Sequence, residues 1–136
     1  MVTVTQAKII QLPKIEDRRG SLSVIEAKKH IPFSIHRAYT IYNVPIGGIR
    51  GDHAYKELQE FVVALSGSVD IVLDDGKEKK LFTLNLPHAG LYVPNMIWRR
   101  LENFSANSVV LIMASQPYNE KDYLRDYTAF KDINLA

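Results

Sequence analysis

The strongest signal in the chain is the segment Gly47-Gly48-Ile49-Arg50-Gly51-Asp52-His53-Ala54-Tyr55-Lys56-Glu57-Leu58-Gln59-Glu60, which Gly67 follows after six further residues. His53 and Tyr55 are one residue apart, so a β-strand would point both side chains to the same face. The spacing from Gly47 through His53 to Gly67 is that of a metal-binding motif with a second histidine at the position of Tyr55. A neutral phenol is a poor ligand for a divalent cation. The segment therefore predicts the scaffold of a metal site with part of its metal chemistry removed.

A second segment, Gly90-Leu91-Tyr92-Val93-Pro94-Asn95-Met96-Ile97-Trp98-Arg99-Arg100-Leu101-Glu102-Asn103, supports the same interpretation. Together the two segments resemble the paired motifs of cupins, in which a further histidine stands at the position of Arg99. A guanidinium has no lone pair to give to a metal ion. We therefore expect no metal and no other cofactor, and we assign Glu60 a structural role. A base, a phenol and a guanidinium on one scaffold suit proton transfer on a carbonyl or anionic substrate.

The composition is that of one small domain, residues 1–136, with 46% hydrophobic and 24% charged residues. A net charge of +2 is too small to indicate a nucleic-acid partner. No apolar run approaches the roughly 20 residues of a membrane-spanning helix, and no signal core follows the N-terminus. The chain has no cysteine, which excludes disulfides and thiol nucleophiles. We expect a cytoplasmic protein with no membrane partner.

Short apolar or alternating runs separated by turn residues predict an all-β protein. The predicted strands are residues 1–5, 21–26, 35–43, 60–65, 68–73, 80–84 and 109–114. Asp74-Asp75-Gly76 is typical of a hairpin turn between two of these strands. Only residues 119–130 have a helical pattern. This order predicts a sandwich or jelly roll with a short C-terminal helix.

Further segments in the same order resemble one group of cupins, the sugar 3,4-ketoisomerases that act on dTDP-4-keto-6-deoxyglucose. They are Arg50-Gly51, His53-Ala54, Leu65-Ser66-Gly67-Ser68, Val72-Leu73-Asp74-Asp75-Gly76, Gly90-Leu91-Tyr92-Val93, Ile97-Trp98 and Ala114-Ser115-x-x-Tyr118-x-Glu120-x-Asp122-Tyr123-x-Arg125-x-Tyr127. The resemblance extends over residues 20–130. It implies a double-stranded β-helix, a metal-independent isomerase of nucleotide-sugar biosynthesis and a homodimer. The family has a second histidine where this chain has Tyr55, and the phenol keeps a protic group at that place.

Moving a ketone from C4 to C3 requires a base that takes a proton from C3 and returns one to C4. The resemblance implies that His53 is this base, and an ordinary histidine pKa of about 6.5 suits the task. Tyr39 is predicted to relay the hydroxyl protons. Guanidinium groups bind diphosphate and polarise enolate oxygens. The predicted substrate-binding residues are Arg19, Arg37, Arg50, Tyr55, Gln59, Trp98 and Arg99.

Two other functions stay open at this point. One is a metal-free nucleotide-sugar 3,5-epimerase, and the other is an inactive sugar-binding cupin that has lost its second histidine. The expected partners are a dTDP-linked keto sugar and a second copy of the chain, with the alternating residues 1–5 exchanged between sheet edges. The product would serve the biosynthesis of 3-amino-3,6-dideoxyhexoses for a surface polysaccharide.

Overall fold

A computed structural model describes residues 1–136 as twelve strands, one α-helix and two 3-10 helices, Val4–Gln6 and Glu120–Asp122. The strands are β1 (Lys8–Gln11), β2 (Lys14–Asp17), β3 (Gly20–Ser23), β4 (Arg37–Tyr42), β5 (Arg50–Tyr55), β6 (Glu60–Ser66), β7 (Val69–Asp74), β8 (Lys79–Leu84), β9 (Ala89–Val93), β10 (Trp98–Glu102), β11 (Val109–Ala114) and β12 (Tyr123–Leu124). The helix α1 spans Tyr127–Leu135. None of these helices is long and apolar enough to cross a membrane.

Ten of the strands form two antiparallel five-stranded sheets, in the orders β1-β9-β6-β11-β4 and β12-β5-β10-β7-β8. The sheets face each other across a core that takes apolar side chains from both, such as Val62 and Ile112 from one and Ile71 and Leu101 from the other. Most neighbouring strands within each sheet are not consecutive along the chain, so the chain crosses between the two packed sheets, as in a jelly roll. The predicted all-β fold is therefore confirmed.

The site motif lies on β5, which pairs with β10 so that His53 is opposite Arg99. Because side chains alternate along a strand, His53 and Tyr55 point between the sheets, while Ala54 points outward against α1. Gly51 bends the start of β5 with a φ of +66°, and a Cβ there would collide with the guanidinium of Arg99. This glycine therefore lets the arginine lie flat against the strand.

Strand predictions in the middle of the chain are confirmed. Strand β11 matches the predicted residues 109–114, and β6, β7 and β8 begin and end within about one residue of their predictions. The first predicted strand, residues 1–5, is wrong, so these residues supply no strand for the predicted exchange between subunits. These residues lead into the 3-10 helix Val4–Gln6, because the Val4 side chain is buried and its backbone N–H donates to Asp75.

The helix predicted at residues 119–130 is wrong in its first part. That part forms the 3-10 helix Glu120–Asp122 and then β12, and α1 begins only at Tyr127. The buried carboxylate of Asp122 explains the difference, since it accepts the backbone N–H groups of Glu57 at 2.9 Å and Leu58 at 3.1 Å. These bonds hold the segment against the end of β5 in place of a helical turn.

Candidate active site

A cavity of about 350 Å³ opens between the two sheets beside β5. Its walls come from β4, β5, β10, β12 and the residue that follows β12. The lining residues are Arg37, Tyr39, Ile41, Arg50, Gly51, Asp52, His53, Tyr55, Arg99, Tyr123 and Arg125. Four arginines and three tyrosines thus surround one histidine.

His53 lies inside this cavity with only 8% of its surface exposed. Its ring centroid is 4.9 Å from that of Tyr55 and 4.9 Å from that of Tyr123. Burial, and next the positive charge of Arg99, lowers the pKa of His53 to about 3. The imidazole is therefore neutral near pH 7 with its lone pair free, and it is a weaker base than the ordinary histidine expected from the sequence.

Arg99 and Glu60 form an ion pair that joins the two sheets at the floor of the cavity, with side chains only 3% and 1% exposed. The Nε of Arg99 donates to Oε1 of Glu60 at 2.8 Å, and Nη2 donates to Oε2 at 2.8 Å. Nη1 donates to the carbonyl of Gly51 at 2.6 Å. Burial alone would lower the pKa of Arg99, but the Glu60 carboxylate raises it above its ordinary value. Arg99 is a fixed cation.

Tyr39 is held by the same pair of charges. Its hydroxyl donates to Oε2 of Glu60 at 3.0 Å and accepts from Nη2 of Arg99 at 3.2 Å. Burial, and next the Glu60 carboxylate, raises the pKa of Tyr39 to about 12. The phenol therefore stays protonated near neutral pH and is fixed within the cavity, where it can exchange protons with a bound hydroxyl group.

Arg37 lies between two aromatic rings. Its guanidinium carbon is 4.7 Å from the ring centroid of Tyr39 and 5.2 Å from that of Tyr118. Nη1 of Arg37 and Nε2 of His53 are the two buried side-chain polar atoms of the protein that have no hydrogen-bond partner. Buried polar atoms are rarely left unpaired, and these two face one cavity, where a bound molecule or water can pair with them.

The mouth of the cavity carries two residues that were not predicted, Tyr123 and Arg125. Tyr123 is opposite Tyr55 in the β12–β5 pairing, and Arg125 stacks 4.3 Å from the Tyr123 centroid. Both were hidden by the helical pattern of residues 119–130, although both belong to the matched segment that begins at Ala114. Two-residue strands give no periodic signal, so composition alone does not reveal them.

Six of the predicted site residues come together in the cavity: His53, Tyr39, Arg37, Arg50, Tyr55 and Arg99. Three others do not line it. Arg19 is exposed at the β2–β3 turn and pairs with Asp17 at 2.7 Å, and Gln59 accepts from the Tyr92 hydroxyl at 2.6 Å.

Trp98 points to the other face of β10, since its neighbour Arg99 points inward. It packs there against α1, with ring centroids 5.6 Å from Phe130 and 5.3 Å from Tyr127. The alternation of side chains along β10 thus assigns this indole to the packing of α1.

The protein contains no cluster of three or more His, Cys, Asp or Glu side chains arranged to bind a metal ion. In the cavity the guanidinium of Arg99 binds both oxygens of Glu60, which would otherwise be the carboxylate ligand. A jelly roll with a neutral imidazole, phenols and fixed guanidinium groups defines a cupin with an acid–base site. The family model described as FdtA: WxcM-like, C-terminal, matches residues 5–134, and the chain belongs to this family.

The TDP-4-oxo-6-deoxy-alpha-D-glucose-3,4-oxoisomerase of Aneurinibacillus thermoaerophilus is 44% identical over 124 residues, which are 91% of this chain and 89% of the relative. The sugar 3,4-ketoisomerase QdtA from Thermoanaerobacterium thermosaccharolyticum, solved with TDP, is 37% identical with a TM-score of 0.95 over 98% of this chain and 97% of its own. A His-to-Asn mutant of the same enzyme was solved with TDP-4-keto-6-deoxyglucose. The TDP-quinovose 3,4-ketoisomerase WlaRB from Campylobacter jejuni is 40% identical with a TM-score of 0.91 over 95% of this chain and 99% of its own.

Proposed function

We propose that this protein is a 3,4-ketoisomerase that converts dTDP-4-keto-6-deoxy-D-glucose to a dTDP-3-keto-6-deoxyhexose. The observation that carries the proposal is the pair of unpartnered buried atoms, Nε2 of His53 and Nη1 of Arg37, in one cavity. An α-hydroxy ketone in the cavity would present its C3–H proton to the imidazole and an oxygen to the guanidinium. The 44% identity to a relative named for this reaction supports the same substrate.

His53 would take the proton from C3, so that the C3–H bond breaks, an N–H bond forms and the electron pair moves to O4. Arg37 would stabilise the charge that develops on O4, as guanidinium groups do for enolate oxygens. The proton on O3 would reach O4 through the hydroxyl of Tyr39, which the Glu60 carboxylate orients. Return of the proton from His53 to C4 then leaves the ketone at C3.

Nuclear magnetic resonance of the substrate incubated with the enzyme in D₂O tests this function. We expect deuterium to enter the sugar together with migration of the carbonyl from C4 to C3. Exchange at both C3 and C5 without migration would identify a 3,5-epimerase. Binding of the substrate with neither exchange nor migration of the carbonyl would identify a sugar-binding protein, and either result would contradict the proposed isomerase.

We also propose a homodimer, supported by the hairpin of β2 and β3. Its strands pair only with each other, and Ile15 and Leu22 on them are 59% and 54% exposed. A two-stranded hairpin is at best marginally stable in water, so a second subunit is the expected cover for these side chains. In such a dimer, Arg19 at the hairpin turn would bind the substrate in the cavity of the second subunit. This proposal keeps the substrate-binding role that was predicted for Arg19. Sedimentation of the full chain at micromolar concentration should give twice 15.5 kDa, and a 15.5 kDa species alone would contradict the dimer.

The 3-ketone is the functional group that an aminotransferase needs to place nitrogen at C3. We therefore propose that the product feeds synthesis of 3-amino-3,6-dideoxyhexoses in the cytoplasm for a surface polysaccharide. A sugar aminotransferase and an amino donor can be added to the reaction as a test. Formation of a 3-amino sugar would support the proposal that an aminotransferase acts next on the product. Accumulation of unreacted 3-ketone with an active aminotransferase would contradict it.

A further inference from the structure

One ion pair at the mouth of the cavity has no part in the proposed proton transfers. The Nε of Arg125 donates to Oε1 of Glu120 at 2.7 Å, and Nη2 donates to Oε2 at 3.0 Å. Arg125 lines the cavity, whereas Glu120 lies outside it. A guanidinium binds the oxygens of a phosphate group with the same two-point geometry.

The position of Arg125 relative to the base agrees with a phosphate contact. The ring centroids of His53 and Tyr123 are 4.9 Å apart, and the guanidinium carbon of Arg125 lies 4.3 Å from the same Tyr123 centroid. The three groups thus follow one another from the inside of the cavity to its mouth. In the substrate, the diphosphate is attached at C1, two carbons from the C3 proton that His53 would remove.

We propose that Arg125 binds the diphosphate of the substrate, and that Glu120 is an internal competitor which the diphosphate displaces. This inference rests on the proposed function, because the diphosphate belongs to the dTDP-linked substrate. It assigns Arg125 as a substrate-binding residue and gives Glu120 a role in setting affinity.

The Glu120–Arg125 pair is suited to displacement. The two side chains are 54% and 56% exposed, and exposed ion pairs contribute little stability. Hydrogen bonds from Arg125 and then Tyr118 lower the pKa of Glu120 to about 2, so this carboxylate is charged at any working pH. A charged carboxylate left on Arg125 would repel an incoming diphosphate, whose several oxygens make it the stronger partner for the guanidinium.

A second contact extends the effect of Glu120 to the inner arginine. The hydroxyl of Tyr118 donates to Oε2 of Glu120 at 2.6 Å, and its ring lies 5.2 Å from the guanidinium of Arg37. Release of Glu120 would therefore also free the ring that covers Arg37. Binding of the diphosphate at the mouth and access to the inner guanidinium would occur together.

Calorimetric titration of the full chain with TDP, at fixed ionic strength, tests the proposal. Glu120→Gln keeps the shape of the side chain and removes its charge, and we expect it to tighten TDP binding about two- to fivefold, the range of an exposed ion pair. Arg125→Gln should weaken TDP about tenfold or more, since it removes a charge-assisted hydrogen bond. TMP, which lacks the second phosphate, should respond less to both variants.

The double variant separates displacement from simple charge repulsion. If Glu120 acts through Arg125, then Glu120→Gln should give no gain in the Arg125→Gln background. Glu102→Gln is the matched control, because Glu102 pairs with Arg100 at 3.1 Å away from the cavity; it should leave TDP affinity unchanged.

Weaker or unchanged TDP binding by Glu120→Gln would overturn the proposal, because it would mean that Glu120 orients Arg125 or has no effect on it. An equal gain in the Arg125→Gln background would also overturn it. If the unmodified protein binds no TDP, the proposed function itself fails, which is a separate and recognisable result.

Discussion

Strands β5 and β10 each have one face toward the cavity and one face toward α1, and the two faces are filled differently. On the inner face, Nε2 of His53 is buried and has no hydrogen-bond partner. On the outer face, the indole of Trp98 donates to Asp52 at 2.6 Å, and the hydroxyl of Tyr127 donates to Asp74 at 2.9 Å. The outer face satisfies its polar atoms within the protein, whereas the inner face keeps one free for a ligand.

The difference shows how a single pair of strands can serve both stability and chemistry. An unpaired buried polar atom lowers stability, so it persists where binding of a ligand compensates for it. The inner face also contains the Arg99–Glu60 pair, which joins the sheets beneath the free imidazole. Substitutions on the inner face should therefore change turnover, and those on the outer face should change only the free energy of unfolding.

The largest expected effect is that of His53→Asn on turnover. Asparagine has a similar shape but cannot accept the C3 proton, and loss of a general base reduces rates about 10²–10⁴-fold. We expect this loss in kcat by the D₂O assay, with TDP affinity by calorimetry close to that of the unmodified protein. Near-normal turnover would remove His53 from the mechanism.

The second expected effect concerns the buried Arg99–Glu60 ion pair at the floor of the cavity. Glu60→Gln leaves the buried charge of Arg99 without its counter-ion, and removal of one partner of a buried pair lowers stability by about 3–5 kcal/mol. Urea unfolding measures this change. As the control, Glu102→Gln breaks a partly exposed pair and should lower the free energy of unfolding by about 1 kcal/mol at most. Equal losses in the two variants would show that the Arg99–Glu60 pair has no special structural role.

The sequence predicted the part of the site that depends on spacing within its two motifs. His53 and Tyr55 were placed together because alternation along a strand fixes which side chains share a face. Arg99, on another strand, was added by the spacing of the second motif. Trp98 was wrongly included, because residues 98–102 were not among the predicted strands and the alternation that separates Trp98 from Arg99 was not applied to them. The Arg99–Glu60 contact joins two different sheets, and no local pattern predicts a contact at that separation.

The N-terminal and C-terminal segments were harder to predict for another reason. Residues 1–5 alternate as a strand would, but the buried side chain of Val4 and its bond to Asp75 decide their conformation. Tyr123 reaches the cavity because the Asp122 carboxylate binds backbone N–H groups near β5. In both segments a tertiary contact to a buried aspartate overrides the local preference of the chain.

The third expected effect is a dependence of stability on pH, which the buried imidazole of His53 on the inner face should cause. The pKa of His53 is about 3 in the folded protein and about 6.5 when unfolded, so between these values the unfolded chain binds the extra proton. Stability should therefore fall as the pH is lowered from about 6.5 toward 3, by about 2 kcal/mol at pH 5. Urea unfolding at pH 7.5 and pH 5 should show this loss in the unmodified protein and a correspondingly smaller loss in His53→Asn. Identical losses would contradict a depressed pKa.

The fourth effect is smaller and belongs to the outer face. Trp98→Phe keeps an aromatic ring against Phe130 but removes the hydrogen bond from the indole to Asp52. Loss of one such bond should lower the free energy of unfolding by about 1 kcal/mol. Turnover of the folded variant should not change, because the indole does not line the cavity. A specific loss of kcat in this variant would show that the two faces of β10 are not independent.

The smallest expected effect, no change, concerns chelation. Both oxygens of Glu60 are bound by Arg99, and the guanidinium itself supplies a positive charge next to the substrate cavity. Metal ions need several lone-pair donors, and here the neutral imidazole of His53 has a phenol and a cation as neighbours in place of further nitrogen ligands. We therefore expect dialysis against EDTA to leave kcat and KM unchanged, with the metal content measured on the same sample. Loss of turnover on chelation, restored by one divalent ion per chain, would contradict this expectation. It would show that a metal ion, and not an arginine, stabilises the negative charge on the substrate oxygen.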